Sequence, residues 1–222
     1  MKEGRVSIAI STAVDRFQAR LGRIFFPPKK NRFVLETPIR AISWLLGAKE
    51  GEIDNYRSSI DVNGIIRAIE ENVKRRMPKA RYEKIAGFSK DKNWIDILES
   101  IYLLIRIRRP EVVVETGVGE IGMSTTFILQ ALKANGLGHL YSVDPDKFYS
   151  LYGFHVGTGI PEDLKIRHTL VVGRSQDKLE ELMNRIGHVD FFLHDGDHRY
   201  KTKIFEYELA FMHLNAGGFI LS

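Results

Sequence analysis

Three short runs in this chain combine residue types and spacings that can do chemistry, and each follows an apolar stretch. The first is Glu115-Thr116-Gly117-Val118-Gly119-Glu120-Ile121-Gly122. Glycines after a buried strand let the backbone turn sharply and let a ligand approach it closely. A helix starting just beyond offers free amides and the positive end of its dipole. The spacing of Gly117, Gly119 and Gly122 also satisfies the dinucleotide fingerprint G-x-G-x-x-G, so spacing alone leaves the ligand open. Asp144, at the end of the next apolar run, suits ribose hydroxyls in either case. Glu115 separates the two: a carboxylate beside the turn meets a pyrophosphate unfavourably and suits a ligand bearing an ammonium. A glycine turn needed only for packing is the competing reading.

The second run is Gly173-Arg174-Ser175-Gln176-Asp177. A small polar set at a strand end can hydrogen-bond an adenine edge. The residues alone favour a plainer role, with Ser175 capping a helix and Asp177 in its first turn. The third run, His194-Asp195-Gly196-Asp197-His198, crowds two carboxylates and two imidazoles together. Strand alternation sends His194 and Asp195 to opposite sides. Asp195 can then face a ligand or bind a hard cation through oxygen, and His198 can act as a general base near neutral pH. Against this, Asp197 or Asp195 could merely cap the following helix, and His194 reads as a core histidine.

The elements that must position these runs follow from periodicity. Trp94 to Ile105 repeats at helical spacing and stops before Pro110. Strands are expected at 112–114, 139–143, 169–172, 189–194 and 219–221, with helices at 123–133, 175–186 and 200–214. Alternating strands and helices give an α/β fold with a doubly wound parallel sheet, and ligands of such sheets bind outside the carboxyl ends of the strands. All three runs fall there. The loop 145–161 holds Phe148, Tyr149, Tyr152, Phe154 and His155. It is either a lid or acceptor wall, or a loop held down by its own aromatics.

The chain has 222 residues, of which 44% are hydrophobic, enough for one sizeable core with a small accessory part. No cysteine is present, which excludes disulfides, thiolate metal sites and cysteine nucleophiles. No apolar run approaches the roughly 18 residues of a spanning helix, and the N-terminus lacks the pattern of a secretory signal, so a cytoplasmic location is expected. Residues 1–92 hold about 20 Lys and Arg against about 11 Asp and Glu, whereas the remainder is mildly acidic. We therefore expect a basic helical segment, 1–92, ahead of an α/β domain, 93–222. The front segment includes a helical pattern from Val6 to Ile24 opposed by Arg16, Arg20 and Arg23, and further apolar clusters at 39–46 and 62–73. It suits a substrate cap or oligomerisation element, a helix lying on a membrane surface, or contact with nucleic acid; no nucleic-acid motif accompanies the charge.

From Val112 to Ser222 the chain resembles class I S-adenosylmethionine-dependent methyltransferases, and within them the O-methyltransferases of the catechol type and the related "DGDH" group, which includes macrolide-sugar methyltransferases and cephalosporin-hydroxylase-like proteins. Glu115–Gly122, Asp144, Val172–Asp177 and Asp190–Tyr200 carry the resemblance, in family order. It implies that Glu115, Gly117 and Gly119 line the methionine end of the cofactor, that Asp144 holds the ribose, and that Ser175 and Gln176 hold the adenine. It implies Asp195 as a ligand for Mg²⁺ beside the transferring methyl and His198 as the base that deprotonates a small-molecule acceptor. The family sheet has two further strands beside the fifth, and its other metal ligands follow the fifth strand. The expectation is thus a truncated domain with an incomplete metal site, its fifth-strand edge covered by the front segment or by a second copy in a homo-oligomer. Two other functions stay open: a cofactor-binding module without turnover, and a nicotinamide-dependent oxidoreductase.

Overall fold

The computed structural model describes residues 42–43, 47–85, 87, 92–146 and 150–222. The expected helix from Val6 to Ile24, most of the 39–46 cluster, and Phe148 and Tyr149 lie outside them. Five strands form one parallel sheet: β1 (Val112–Thr116), β2 (His139–Asp144), β3 (His168–Val172), β4 (Val189–His194) and β5 (Leu214–Leu221). Their order is β3-β2-β1-β4-β5. The chain therefore winds one way from β1 to β3 and then crosses back to lay β4 against the other side of β1, giving the doubly wound fold expected from the alternation. β5 starts at Leu214, earlier than the Phe219 that the glycines suggested, and its pairing with β4 is irregular between Val189 and Phe191.

The central β1 shows why this sequence makes a buried strand. Val113 and Val114 are both fully buried, and they enter different cores because successive side chains leave opposite faces of the sheet. Val113 joins Phe127, Ile128 and Leu98; Val114 joins Leu179, Leu182 and Phe192. The first core is roofed by α4 (Lys92–Arg108) and α5 (Met123–Asn135), the second by α6 (Ser175–Ile186) and α7 (Tyr200–His213).

Three more helices, α1 (Glu50–Ser58), α2 (Val62–Arg76) and α3 (Lys79–Ile85), precede these. Asp61 caps α2 by accepting the Gly64 N–H at 2.8 Å. Ile53, Ile65, Ile69 and Val73 join the same core as Leu98 and Phe127. Part of the basic charge of this segment is used within the chain. Arg76 pairs with Glu162 at 2.7 Å and donates to the Ile160 carbonyl at 3.1 Å. Arg81 donates from Nε to Glu120 at 2.8 Å, so α3 holds the glycine loop directly. Among the described residues no helix is long and apolar enough to cross a membrane.

α5 carries the glycine loop at its start, so its seating fixes the site. Phe127, fully buried in this helix, is the test: Phe127→Ala should lower the unfolding free energy by about 3–5 kcal/mol through lost burial and the cavity left behind. Urea denaturation measures this, and a loss below about 1 kcal/mol would mean that α5 is not seated on the sheet as described.

Candidate functional site

The register levels the strand ends. Thr116 lies beside Val143 on one side and His194 on the other. Gly117 then donates its N–H to the Val143 carbonyl at 3.0 Å, and Asp195 donates to the Thr116 carbonyl at 2.8 Å. Gly117 has φ +88°, and a Cβ there would lie 2.3 Å from the Asp195 carbonyl oxygen and 2.5 Å from the Gly196 Cα, so no other residue fits. Asp144 fixes the next step of the loop. Its Oδ2 accepts the N–H groups of Val118 at 2.8 Å and Gly119 at 3.0 Å.

Two clefts open at these ends. One, of about 540 Å³, is lined by Gly117, Gly119, Asp144, Ser175, Gln176 and Asp195, with Thr116 and Glu206 among its deeper residues. The other, of about 600 Å³, shares Gly119 and Asp195 and is walled by Ile85, Trp94, Ile121 and Met123, with Lys84 at its margin. A cleft of about 650 Å³ between Arg108–Glu111 and Asn215–Phe219 lies at the opposite, amino ends of the strands, away from all three runs. The site is therefore placed at the paired carboxyl-end clefts, where the backbone turns of a parallel sheet leave room for ligands.

Glu115 departs from expectation. It is fully buried and lines neither cleft. Alternation along β1 puts it on the face of Val113, toward α5, where Ser124 and Thr125 each donate to its carboxylate at 2.7 Å and Ser142 donates at 2.9 Å. Burial raises its pKa from 4.5 to about 7 against these hydroxyls, and the nearby Asp195 adds to the rise. Ser142, having given its proton to Glu115, accepts from His168 Nε2 at 3.0 Å, and burial pushes His168 down to about 4. Glu115 thus braces β1, β2 and α5 from beneath the loop, out of both clefts.

Other residues sort differently from their plainest readings. Ser175 does not cap α6; Arg174 holds that position and no side chain makes the cap bond. Ser175 is free to face the cleft. Asp197 does not cap α7, whose N-cap is Arg199. It instead accepts the Arg199 guanidinium and the Thr202 hydroxyl, the latter at 3.0 Å. The hydrogen bonds from Arg199 pull its carboxyl down to about 2. His198 is exposed, lines neither cleft, and sits with its ring 5.4 Å from that of His194, beside Asp195. His194 is a core histidine, 2.6 Å from Glu206, which also accepts the Thr116 hydroxyl at 2.6 Å. His194 Nε2 and Glu206 Oε1 have no protein partner. Sequence reasoning missed Thr116, Thr202 and Glu206. The signal for Glu206 was a carboxylate four residues after Thr202 and three before Leu209, on one face of the helix.

The loop after β2 is held down by its own packing. Gly157, Thr158 and Gly159 donate to the carbonyls of Gly119, Glu120 and Ile121, each at 2.9 Å. Phe154, Val156 and Ile160 are buried in the first core, so the apolar wall near the glycine loop comes from Ile85, Trp94 and Met123 instead.

The site is acidic and partly dry. Burial raises the carboxyls of Asp144 and Asp195, in the first case against the Gly119 and Val118 N–H groups, in the second against the Ser124 hydroxyl and the two histidines. A metal is a poor fit. Among the described residues no group of three or more His, Asp or Glu could hold one, and both oxygens of Asp197 are already engaged. Asp195 alone cannot replace the octahedral oxygen shell of Mg²⁺.

Residues 114–222 match the family described as "Methyltransferase domain". That match covers most of the glycine loop's strand and all of the loop, Asp144 and both later motifs. No curated protein sequence matches the chain. Similar solved structures include the O-methyltransferase TomG of Streptomyces achromogenes in complex with SAM, at 19% identity over 55% of this chain and 52% of that one, TM-score 0.44. Another is the SAH-bound methyltransferase PaMTH1 of Podospora anserina, at 15% over 72% and 61%, TM-score 0.48. A third is an O-methyltransferase of Bacillus cereus in complex with SAH, at 16% over 76% and 70%, TM-score 0.47. The chain spans 52% of the length of the first of these, 61% of the second and 70% of the third.

The buried Glu115 gives a signed pH prediction. Its raised pKa means that the folded chain keeps a proton the unfolded chain releases, so its stabilisation is full below pH 4.5 and is lost as pH rises to about 7. The depressed His168 acts in the opposite sense, losing stabilisation as pH falls from 6.5 to about 4. The difference between wild type and Glu115→Gln isolates the former. Urea unfolding should show the wild type losing stability relative to the variant between pH 4.5 and about 7; parallel curves across that window would place the buried proton elsewhere.

Proposed function

We propose that this chain binds S-adenosylmethionine in the cleft between Asp144 and Asp195 and transfers its methyl group to a hydroxyl oxygen of a small-molecule acceptor held in the adjoining cleft. The observation that carries the reading is the pair of desolvated carboxylates, Asp144 and Asp195, flanking a glycine loop. A dinucleotide would bring its pyrophosphate to that loop and be repelled. A sulfonium and an ammonium would instead be attracted, and would relieve the cost of burying the carboxylates. This weighs against the nicotinamide reading.

In this reading Asp144 Oδ2 stays on the loop N–H groups and its Oδ1 takes the ribose. Ser175 and Gln176 meet the adenine, Gly117 and Gly119 let the backbone approach the ligand, and Asp195 faces the ammonium end. Ile85, Trp94 and Met123 suit an apolar or planar acceptor. When bound, the cofactor supplies an electrophilic methyl on sulfur. The acceptor oxygen would bond to that carbon as the carbon–sulfur bond breaks with its electron pair left on sulfur; His198, which is exposed beside Asp195 and lines neither cleft, would take the acceptor proton from the side of Asp195. Closeness and alignment in two adjoining clefts supply much of the acceleration. No step is routed through a metal. The Asp195-Gly196-Asp197-His198 run supports placing the chain with the "DGDH" O-methyltransferases, and the hold of α3 on the glycine loop and of α2 on the loop after β2 supports a cap role for the basic front segment.

Calorimetric titration with S-adenosylmethionine and with a nicotinamide dinucleotide separates the ligands; binding of the dinucleotide alone would overturn the reading. Asp144→Ala should weaken cofactor binding by about 1–3 kcal/mol through the lost charged hydrogen bonds, and unchanged affinity would remove Asp144 from the site. His198→Ala should lower turnover of a labelled-methyl assay by about 10²- to 10⁴-fold while cofactor affinity holds. Turnover unchanged in that variant would retire His198, and binding without turnover in the wild type would favour a cofactor-binding module.

A further inference from the structure

We infer that Thr202 and Asp197 fix the side-chain amide of Gln176 in one orientation, so that the cleft accepts an amino-purine nucleoside and rejects its keto counterpart. The inference rests on the proposed cofactor reading and specifies how the base is chosen.

Asp197 carries no proton to give: it is ion-paired with the Arg199 guanidinium, whose Nε lies 2.9 and 2.7 Å from its two oxygens. An ionised carboxylate only accepts. The Thr202 hydroxyl, 3.0 Å from Asp197 Oδ2, must therefore donate to it. Its single proton is then spent, and toward Gln176, 2.8 Å away, Thr202 Oγ1 can only accept. Gln176 must present its NH₂ group to Thr202. The two ends of a glutamine amide are otherwise interchangeable in shape, and a network that ends on an acceptor-only group is what decides between them.

Thr202 is itself buried at 3% exposure, so the hydroxyl at the middle of this relay is held out of solvent. The consequence falls on the other end of the amide. Gln176 lines the cleft, and its Oε1 is not among the buried atoms lacking a partner. It is left available as an acceptor to a base that occupies the cleft. A 6-amino group donates to it. A 6-keto oxygen meets it acceptor to acceptor, and the amide cannot turn without breaking the bond to Thr202. Thr202 and Asp197 are thus positioning residues that act through Gln176.

The test compares affinities of S-adenosyl-L-homocysteine and S-inosyl-L-homocysteine by calorimetry, a readout independent of turnover. The wild type should favour the adenosyl form by roughly 10- to 100-fold. Thr202→Val keeps the shape of the side chain but frees the amide to rotate, and should reduce the preference to about threefold or less; Thr202→Ser, which keeps the hydroxyl, should restore it. Should Thr202→Val fail to fold by its thermal melt, Gln176→Met removes the acceptor with Thr202 intact and should equalise the two ligands in the same way. A preference that survives in a folded Thr202→Val, or in Gln176→Met, overturns the inference. Equal, tight binding of both ligands by the wild type overturns it while leaving the cofactor reading in place. Binding of neither overturns both.

Discussion

The close passage of Gly117 against the Asp195–Gly196 backbone is the constraint on which the site depends. β1 and β4 are neighbours only because the chain reverses direction of winding after β3, and the two loops leaving them must cross at a distance that leaves no space for a Cβ. That crossing brings Asp195 level with Asp144 across the end of β1. A larger residue at 117 would push the two loops apart and separate the residues that line the shared clefts.

Around this crossing the strand ends are polar on both faces of the sheet, where a parallel sheet is ordinarily apolar. Toward α5, Glu115 gathers three hydroxyls. Toward α7, Glu206 gathers Thr116 and His194. Burying a carboxylate is tolerable when hydrogen bonds hold it, and here each ties strands to a helix, Glu206 through Oε2 while its Oε1 and His194 Nε2 have no protein partner. Removing one member would leave the others buried and unpaired, which costs more than the bond itself. These two brackets hold the loops rigid while Asp144 and Asp195 remain open to the clefts. The α2 and α3 arginines add a third brace from outside, through Glu162 and Glu120.

Much of this architecture was legible in the sequence. The five strands and the helices between them follow from alternating apolar runs, because buried parallel strands and amphipathic helices leave different periods. The sequence also singled out Gly117, Gly119, Asp144, Ser175, Gln176 and Asp195, which all line one cleft. A motif names Glu115 without naming its face; counting alternation from Val113 turns it toward α5. Ser175 was weighed as a cap because a serine opening a helix usually is one, and only the structure shows the cap position passing to Arg174. The roles of Thr202, Glu206, Arg76 and Arg81 arise from contacts between distant segments. Local propensity carries no trace of them beyond a polar residue on an apolar face. The aromatic loop after β2 reads equally as wall or packing until Phe154 is seen inside the core.

The account stands on Asp144 serving two partners at once, the glycine loop through Oδ2 and a ribose through Oδ1. The most direct measurement is a crystal structure of the chain with S-adenosyl-L-homocysteine. It should place a ribose hydroxyl within about 3 Å of Asp144 Oδ1, with the Val118 and Gly119 bonds to Oδ2 retained. A nucleoside whose ribose avoids Asp144, or one seated between Arg108 and Phe219 at the amino ends of the strands, would contradict the account.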